Sequence, residues 1–202
     1  IQVHDVDRGG DVTFHSKGQL VGYPLVHLED PKKVIPYVRS LERVIVSTLN
    51  VFGIESWQDQ TATGVWTRKG KISSIGIKVS KWTTLHGFAL NIQDNLDGFD
   101  LINPCGFDNK PTTSIHAFDS TIAYQDVVAT VVNQFIEEFG YDEVNEQFSA
   151  FTPRQSRVMT TFEVDELLKR GTFSPKRAKS VPVTINGLLD GEPKRPDWMK
   201  VK

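Results

Sequence analysis

Cysteine is almost absent from this chain: one residue of 202, Cys105, carries a thiol. That excludes an intrachain disulfide, and a lone thiol fits a reducing compartment, so a cytoplasmic location is expected. An excess of one charge is missing too. The 23 basic and 25 acidic side chains leave a formal charge of -2, so neither a nucleic acid nor a membrane surface is expected as a partner. No apolar run nears the roughly 20 residues that cross a bilayer, and there is no signal-type start at Ile1 and no initiator Met, so a trimmed or processed N-terminus is expected. His4, His15, His27, His86 and His116 are scattered, without the paired spacing of a zinc site, and no metal is expected. Neither a Walker loop nor a dinucleotide-binding glycine pattern occurs, and there is no internal repeat or low-complexity tract.

What is present is enough chain for one good-sized core without a staple and a clear alternation of periods. Leu20 to Leu28, rich in Val, Tyr and Leu, predicts a strand. Asp30-Pro31 marks a turn. From Val34 to Val51 the apolar residues Val38, Leu41, Val44, Ile45 and Leu49 have the spacing of an amphipathic helix, which Gly53 ends. Gly64 to Thr67, Lys71 to Ser80 and Leu85 to Ile92 predict strands, with Lys69-Gly70 as a hairpin turn and Ile75, Ile77 and Val79 on a buried face. A second helix is expected over Tyr124 to Phe139, with Val127, Val128, Val131, Val132, Phe135 and Ile136 on one side and Gly140 as its stop. Helices and hairpin-linked strands in this order give an α+β architecture. Half of the ten prolines fall after Ala150, so residues 1–150 are expected to form the domain and 151–202 a Pro-rich, basic extension with one short helix near Val164 to Lys169. Within it Lys176-Arg177-Ala178-Lys179 reads either as a docking patch for an acidic partner or as a solvated tail.

Candidate chemistry begins with Cys105 in Asn103-Pro104-Cys105-Gly106. Its neighbours mark a loop, where a sulfur meets substrate, although a lone Cys also serves as a small core hydrophobe. Lys71 opens a strand directly after a turn, so its amine could enter a neighbouring cleft, whereas Lys78 and Lys81 read as exposed strand residues. The glycines of Arg8-Gly9-Gly10 would let a backbone approach a ligand closely, or simply turn the chain. His15, in a polar loop, is the better histidine for touching substrate, and His86, inside an apolar strand, reads as a satisfied core residue.

Taken in order, Arg8-Gly9-Gly10-Asp11-Val12-Thr13-Phe14-His15, Gly18-Gln19-Leu20-Val21, Tyr23-Pro24, Gly64-Val65-Trp66, Lys71-Ile72-Ser73-Ser74-Ile75-Gly76-Ile77, His86-Gly87-Phe88-Ala89-Leu90-Asn91 and Pro104-Cys105-Gly106 resemble the octanoyltransferases, the lipoyl(octanoyl) transferases, over Asp7 to about Glu138. Lys71 and Cys105 have the separation of that family's Lys/Cys pair. The resemblance implies the fold of the biotin and lipoate ligase catalytic domain, a mixed, largely antiparallel sheet backed by helices. It also implies transfer of an octanoyl group from octanoyl-acyl carrier protein, without a cofactor, to a lysine of the lipoyl domains of 2-oxoacid dehydrogenases or of the glycine-cleavage H protein. Carried over residue by residue, Cys105 is the acyl-accepting nucleophile and Lys71 its activator. Arg8, Gly9, Gly10, Asp11, Val12, Thr13, Phe14 and His15, with Ser74, Ile75, Gly76, Gly87, Phe88 and Ala89, line the acyl pocket. Chemically, a free thiol is only a few per cent ionised at neutral pH, and a nearby ammonium lowers its pKa by about one to two units, enough to make thiolate the major form.

Three departures stand out. Ser16-Lys17-Gly18 stands where the family has Gly-Pro-Gly, adding a positive charge at the pocket mouth. The helix and strands that precede the Arg-Gly-Gly motif in the family are missing. The last residues, Lys194 to Lys202, resemble the opening of lipoyl synthase, which suggests a piece cut from a fusion of the two enzymes. An ATP-dependent lipoate ligase and a non-catalytic module that binds lipoyl domains or acyl carrier are the alternative functions.

Overall fold

The computed structural model describes residues 3–102, 111–141, 143–145 and 180–182. The 3.6-residue period in the first half of the chain becomes helix α1 (Val34–Val51), which buries Tyr37, Leu41, Val44, Ile45 and Leu49 along one stripe. Its entry is set by Asp30, whose carboxylate accepts from the Lys32 N–H ahead of a short 3-10 turn with Pro31 at its first position. Its exit is set by Gly53 at φ +69°. There the Gly53 and Ile54 amides donate back to Asn50 and Leu49, satisfying carbonyls the helix leaves open.

Helix α2 (Tyr124–Phe139) buries Val127, Val128, Val131, Val132 and Phe135 and packs on α1. Arg43 on α1 donates to Glu138 on α2 at 2.6 and 3.0 Å, and that pairing holds the Glu138 carboxyl below its ordinary range.

Five strands form one antiparallel sheet: β1 (Gln19–Gly22), β2 (Ser56–Gln58), β3 (Val65–Thr67), β4 (Gly70–Ser80) and β5 (Thr83–Asn91), in spatial order β1-β5-β4-β3-β2. Helix α1 packs against β2, β3 and β4, so the architecture is α+β. Contacts divide the described residues into two compact units, one up to Phe139 and one from Gly140. Within the second, β6 (Glu143–Asn145) and β7 (Ser180–Pro182) form a parallel pair. The expected helix near Val164 to Lys169 and the basic run at Lys176 lie outside the described residues.

Three elements differ from expectation. The strand expected over Leu20 to Leu28 stops at Gly22, because Pro24 has no N–H for the ladder. From there the chain follows β5 through separate bonds, Thr84 N–H to the Val26 carbonyl at 3.0 Å and Leu28 N–H to the Trp82 carbonyl at 2.6 Å. Of the alternating trio, Ile75 is buried while Ile77 and Val79 are half-buried. Strand β2 went unread, since Ser56-Trp57-Gln58 is too short to show a period.

The β4–β5 connection has its own cost. Ser80 pairs with Thr83 across a two-residue turn whose central residues, Lys81 and Trp82, have φ of +47° and +62°. This is the turn that favours Asn-Gly, and side chains with a Cβ are strained there by about 1 kcal/mol each. Replacing Lys81-Trp82 by Asn-Gly is expected to stabilise the protein by about 1–2 kcal/mol, read as a raised midpoint in urea with an unchanged slope.

Candidate active site

Partners in an antiparallel ladder point to the same side of a sheet, and neighbours along a strand alternate. The pairs Gln19 with Asn91, Ser74 with Ala89 and Gly76 with Gly87 therefore put six residues on one face. Ile75 and Phe88, paired with each other, point to the opposite face, both buried. Two of the six have no side chain, and the chain uses the space. The edge of β4 beyond β3 is taken by the Arg8-Gly9 backbone, with the Gly9 N–H donating to the Ile77 carbonyl at 2.8 Å. A Cβ on Gly76 would sit 2.6 Å from the Gly9 carbonyl oxygen and 2.9 Å from Arg8 Cδ; one on Gly87 would sit 2.1 Å from the Gly22 carbonyl oxygen and 2.8 Å from Pro24 Cδ.

From Gly10 the segment runs back toward β1. Asp11 accepts from the Val12 N–H at 2.7 Å and both residues are exposed. Thr13 is half-buried. Phe14 meets Phe99 edge to face at 5.7 Å, its ring lying where Gly98 has no Cβ. His15 is exposed, but its Nδ1 lies 2.6 Å from Gln19 Oε1. Gln19 Nε2 donates to Asn91 Oδ1 at 2.7 Å and is 3.4 Å from the Phe14 carbonyl oxygen, and Asn91 Nδ2 donates to the Thr113 carbonyl at 3.0 Å. Gln19, Asn91 and Thr113 are all buried.

Lys71 stands at an irregularity. Trp66 on β3 pairs with Lys71 while Val65 pairs with Ser73, which leaves Ile72 as an extra residue on β4. A bulge of this kind re-aims a side chain, and the Lys71 ammonium lies 5.4 Å from the Trp66 ring centroid, a favourable cation–π distance. The stem passes Gly64, at φ +126°, where a Cβ would be 2.6 Å from Lys71 Cε. Gly64 is in turn tied to α1. Its N–H donates to Glu42 at 2.9 Å, Arg39 donates to the other oxygen of that carboxylate at 2.7 Å, and Arg39 also holds the Asp59 carbonyl at 2.8 Å. Glu42 is fully buried, and both of its oxygens have the partners that a buried carboxylate requires.

The backbone of Lys71 makes a second connection. Its N–H donates to the Pro111 carbonyl and its carbonyl accepts from the Thr113 N–H, each at 2.9 Å. Cys105 lies outside the described residues, in the stretch 103–110 that Pro111 follows. His86 does not fit the reading of a core histidine. At φ +59° it leaves the strand conformation, and its half-exposed ring lies 3.1 Å from the Asp7 carboxylate, which also pairs with Lys78.

Gln19, Asn91, Thr113 and Glu42 escaped the reading of candidate residues. A Gln four residues after His15 and an Asn ending an apolar strand were visible, but neither has a helix or strand period linking it to a partner.

The chain matches the profile of the lipoyl protein ligase A/B catalytic domain over residues 1–136, and it belongs to that family. It is 44% identical over 146 residues to the octanoyltransferase of Nostoc punctiforme, covering 72% of this chain and 64% of that one. A 44% match over 144 residues links it to the octanoyltransferase of Caldicellulosiruptor bescii, covering 69% and 63%. The chain thus spans less than two thirds of the length of these relatives. Among solved structures, the bi-partite lipoate protein ligase of Thermoplasma acidophilum superposes with a TM-score of 0.60 at 15% identity, over 81% of this chain and 64% of that one, which identifies the fold as lipoate-ligase-like.

The Gly76 contact generates a test. In Gly76→Ala the methyl has no room against the Arg8-Gly9 backbone, so Gly9 amide exchange is expected to accelerate roughly tenfold or more while the amides of Ala89 and Leu90 stay protected. NMR-detected exchange reads both. Unchanged Gly9 protection would show that the segment does not depend on the missing side chain.

Proposed function

We propose that this chain carries the acyl-transfer chemistry of an octanoyltransferase. The observation that carries the reading is the 44% identity to octanoyltransferases over about 70% of the chain. The fold and the tie between Lys71 and the residues following 103–110 support it. We assign the chemistry to residues 1–150 and treat 151–202 as an extension. The donor is octanoyl-acyl carrier protein, the acceptor a lysine on a lipoyl domain or on the glycine-cleavage H protein, and the setting the cytoplasm. Among the described residues no helix is long and apolar enough to cross a membrane.

Cys105 and Lys71 act as a thiolate–ammonium pair. The Cys105 thiolate attacks the thioester carbonyl, the carbon–sulfur bond to the carrier breaks, and the departing carrier thiolate takes a proton from Lys71. The neutral Lys71 amine then accepts the proton that the attacking acceptor amine sheds as its amide bond forms, and the Cys105 thiolate leaves. The pair returns to its starting charge, and its two titrations belong to both groups jointly. Ser74, Gly76, Gly87, Ala89 and the segment from Arg8 to His15 are the residues we assign to the acyl pocket, whereas Ile75 and Phe88, expected to line it, point to the opposite face of the sheet. Gly76 and Gly87 let backbone close over it, and Ile75 and Phe88 support it from the opposite face.

Mass spectrometry after mixing with octanoyl-acyl carrier protein separates the readings. One octanoyl group on Cys105 without ATP is the expected result. Acylation of a lipoyl domain that requires ATP and bypasses Cys105 would mean a ligase, and no adduct would mean a binding module. Cys105→Ser is expected to abolish turnover, and Lys71→Ala to lower it by roughly a hundredfold or more. A Lys71→Ala protein with normal rate would remove Lys71 from the mechanism.

A further inference from the structure

We propose that Gln19, Asn91 and the Thr113 carbonyl fix the tautomer of His15, so that His15 presents an unprotonated Nε2 as the proton acceptor for the incoming lysine. The inference rests on the acyl-transfer reading for the substrate but on hydrogen bonds alone for the tautomer. A backbone carbonyl only accepts, so the contact of 3.0 Å from Thr113 obliges Asn91 to turn its Nδ2 that way and its Oδ1 toward Gln19. That oxygen obliges Gln19 to present Nε2 to it at 2.7 Å, and the Phe14 carbonyl at 3.4 Å favours the same orientation. Gln19 Oε1 is thereby left facing His15. At 2.6 Å from an acceptor, His15 Nδ1 must be the nitrogen that carries hydrogen. In a neutral imidazole the lone pair is then on Nε2.

This nitrogen answers a need the Cys105–Lys71 pair does not meet. A lysine reaches the acyl-enzyme as an ammonium, which has no lone pair with which to attack. Two protons must therefore leave its nitrogen, one before the carbon–nitrogen bond forms and one as the tetrahedral intermediate collapses. Neutral Lys71 takes the second. His15 Nε2 takes the first, becoming an imidazolium that returns its proton to water through the exposed side of the ring. The relay also ends on Thr113, whose N–H donates to the Lys71 backbone carbonyl at 2.9 Å, so the His15 relay and the Lys71 backbone share one hydrogen-bonded frame. Gln19 and Asn91 act only through His15 and are positioning residues.

Nitrogen-15 NMR of the neutral His15 ring in the full chain tests the relay without any substrate. The expected result is an Nδ1–H ring in the wild type and a shift toward Nε2–H in Gln19→Ala. Pre-formed octanoyl-Cys105 enzyme mixed with a lipoyl domain tests the role. Aminolysis is expected to slow about tenfold in Gln19→Ala and a hundredfold or more in His15→Ala. A wild-type ring that is mainly Nε2–H would overturn the relay, and so would a Gln19→Ala protein whose tautomer and aminolysis rate match the wild type. Failure to form any adduct on Cys105 would instead refute the acyl-transfer reading, while the wild-type spectrum still decides the tautomer.

Discussion

Direct contact between backbone and sheet, at two cross-paired positions without side chains, governs this molecule. Gly76 and Gly87 face each other across β4 and β5, and each is pressed by a carbonyl from elsewhere in the chain, that of Gly9 and that of Gly22. Both segments lie far upstream in sequence, and the Gly76 contact brings the Arg8-Gly9 backbone and the Arg8 side chain directly onto the sheet.

Among the described residues, burial of charge is confined to one place. Glu42 is fully buried on α1, a location that leaves an unpaired carboxylate several kcal/mol unfavourable. Its bonds to Arg39 and to the Gly64 N–H offset that, and in doing so join the helix layer to the loop that flanks Lys71. The same carboxylate therefore links packing to chemistry: α1 anchors Gly64, Gly64 leaves room for the Lys71 stem, and the bulge in β4 directs the amine to Trp66.

What could be read from the sequence follows from the range of each interaction. Both helices are found at their expected bounds, because a 3.6-residue period and terminal glycines are local signals. The long hairpin strands also emerged, since alternation survives within them. The strand expected to reach Leu28 failed at Pro24, where the missing N–H outweighs the apolar content. The turn at Lys81-Trp82 carries none of the residues its geometry favours, so strand pairing imposes that geometry on the turn. The relay through Gln19, Asn91 and Thr113 was invisible for a different reason. Its members are 72 and 22 residues apart, and polar pairs at such separations leave no period. The motif blocks carried the family resemblance, but only the register reveals that Ile75 and Phe88 turn away from Ser74, Gly76, Gly87 and Ala89.

The stretch from Pro111 to His116 has a mechanical meaning. At its start it is bonded to the beginning of β4 through Lys71, and a few residues on it is bonded to the end of β5, where the Ile115 and His116 amides donate to the carbonyls of Asn91 and Ile92. It is a strap fastened at both ends, to the start of one strand and the end of its neighbour. The chain therefore reaches α2 only after four backbone hydrogen bonds have fixed it to the sheet.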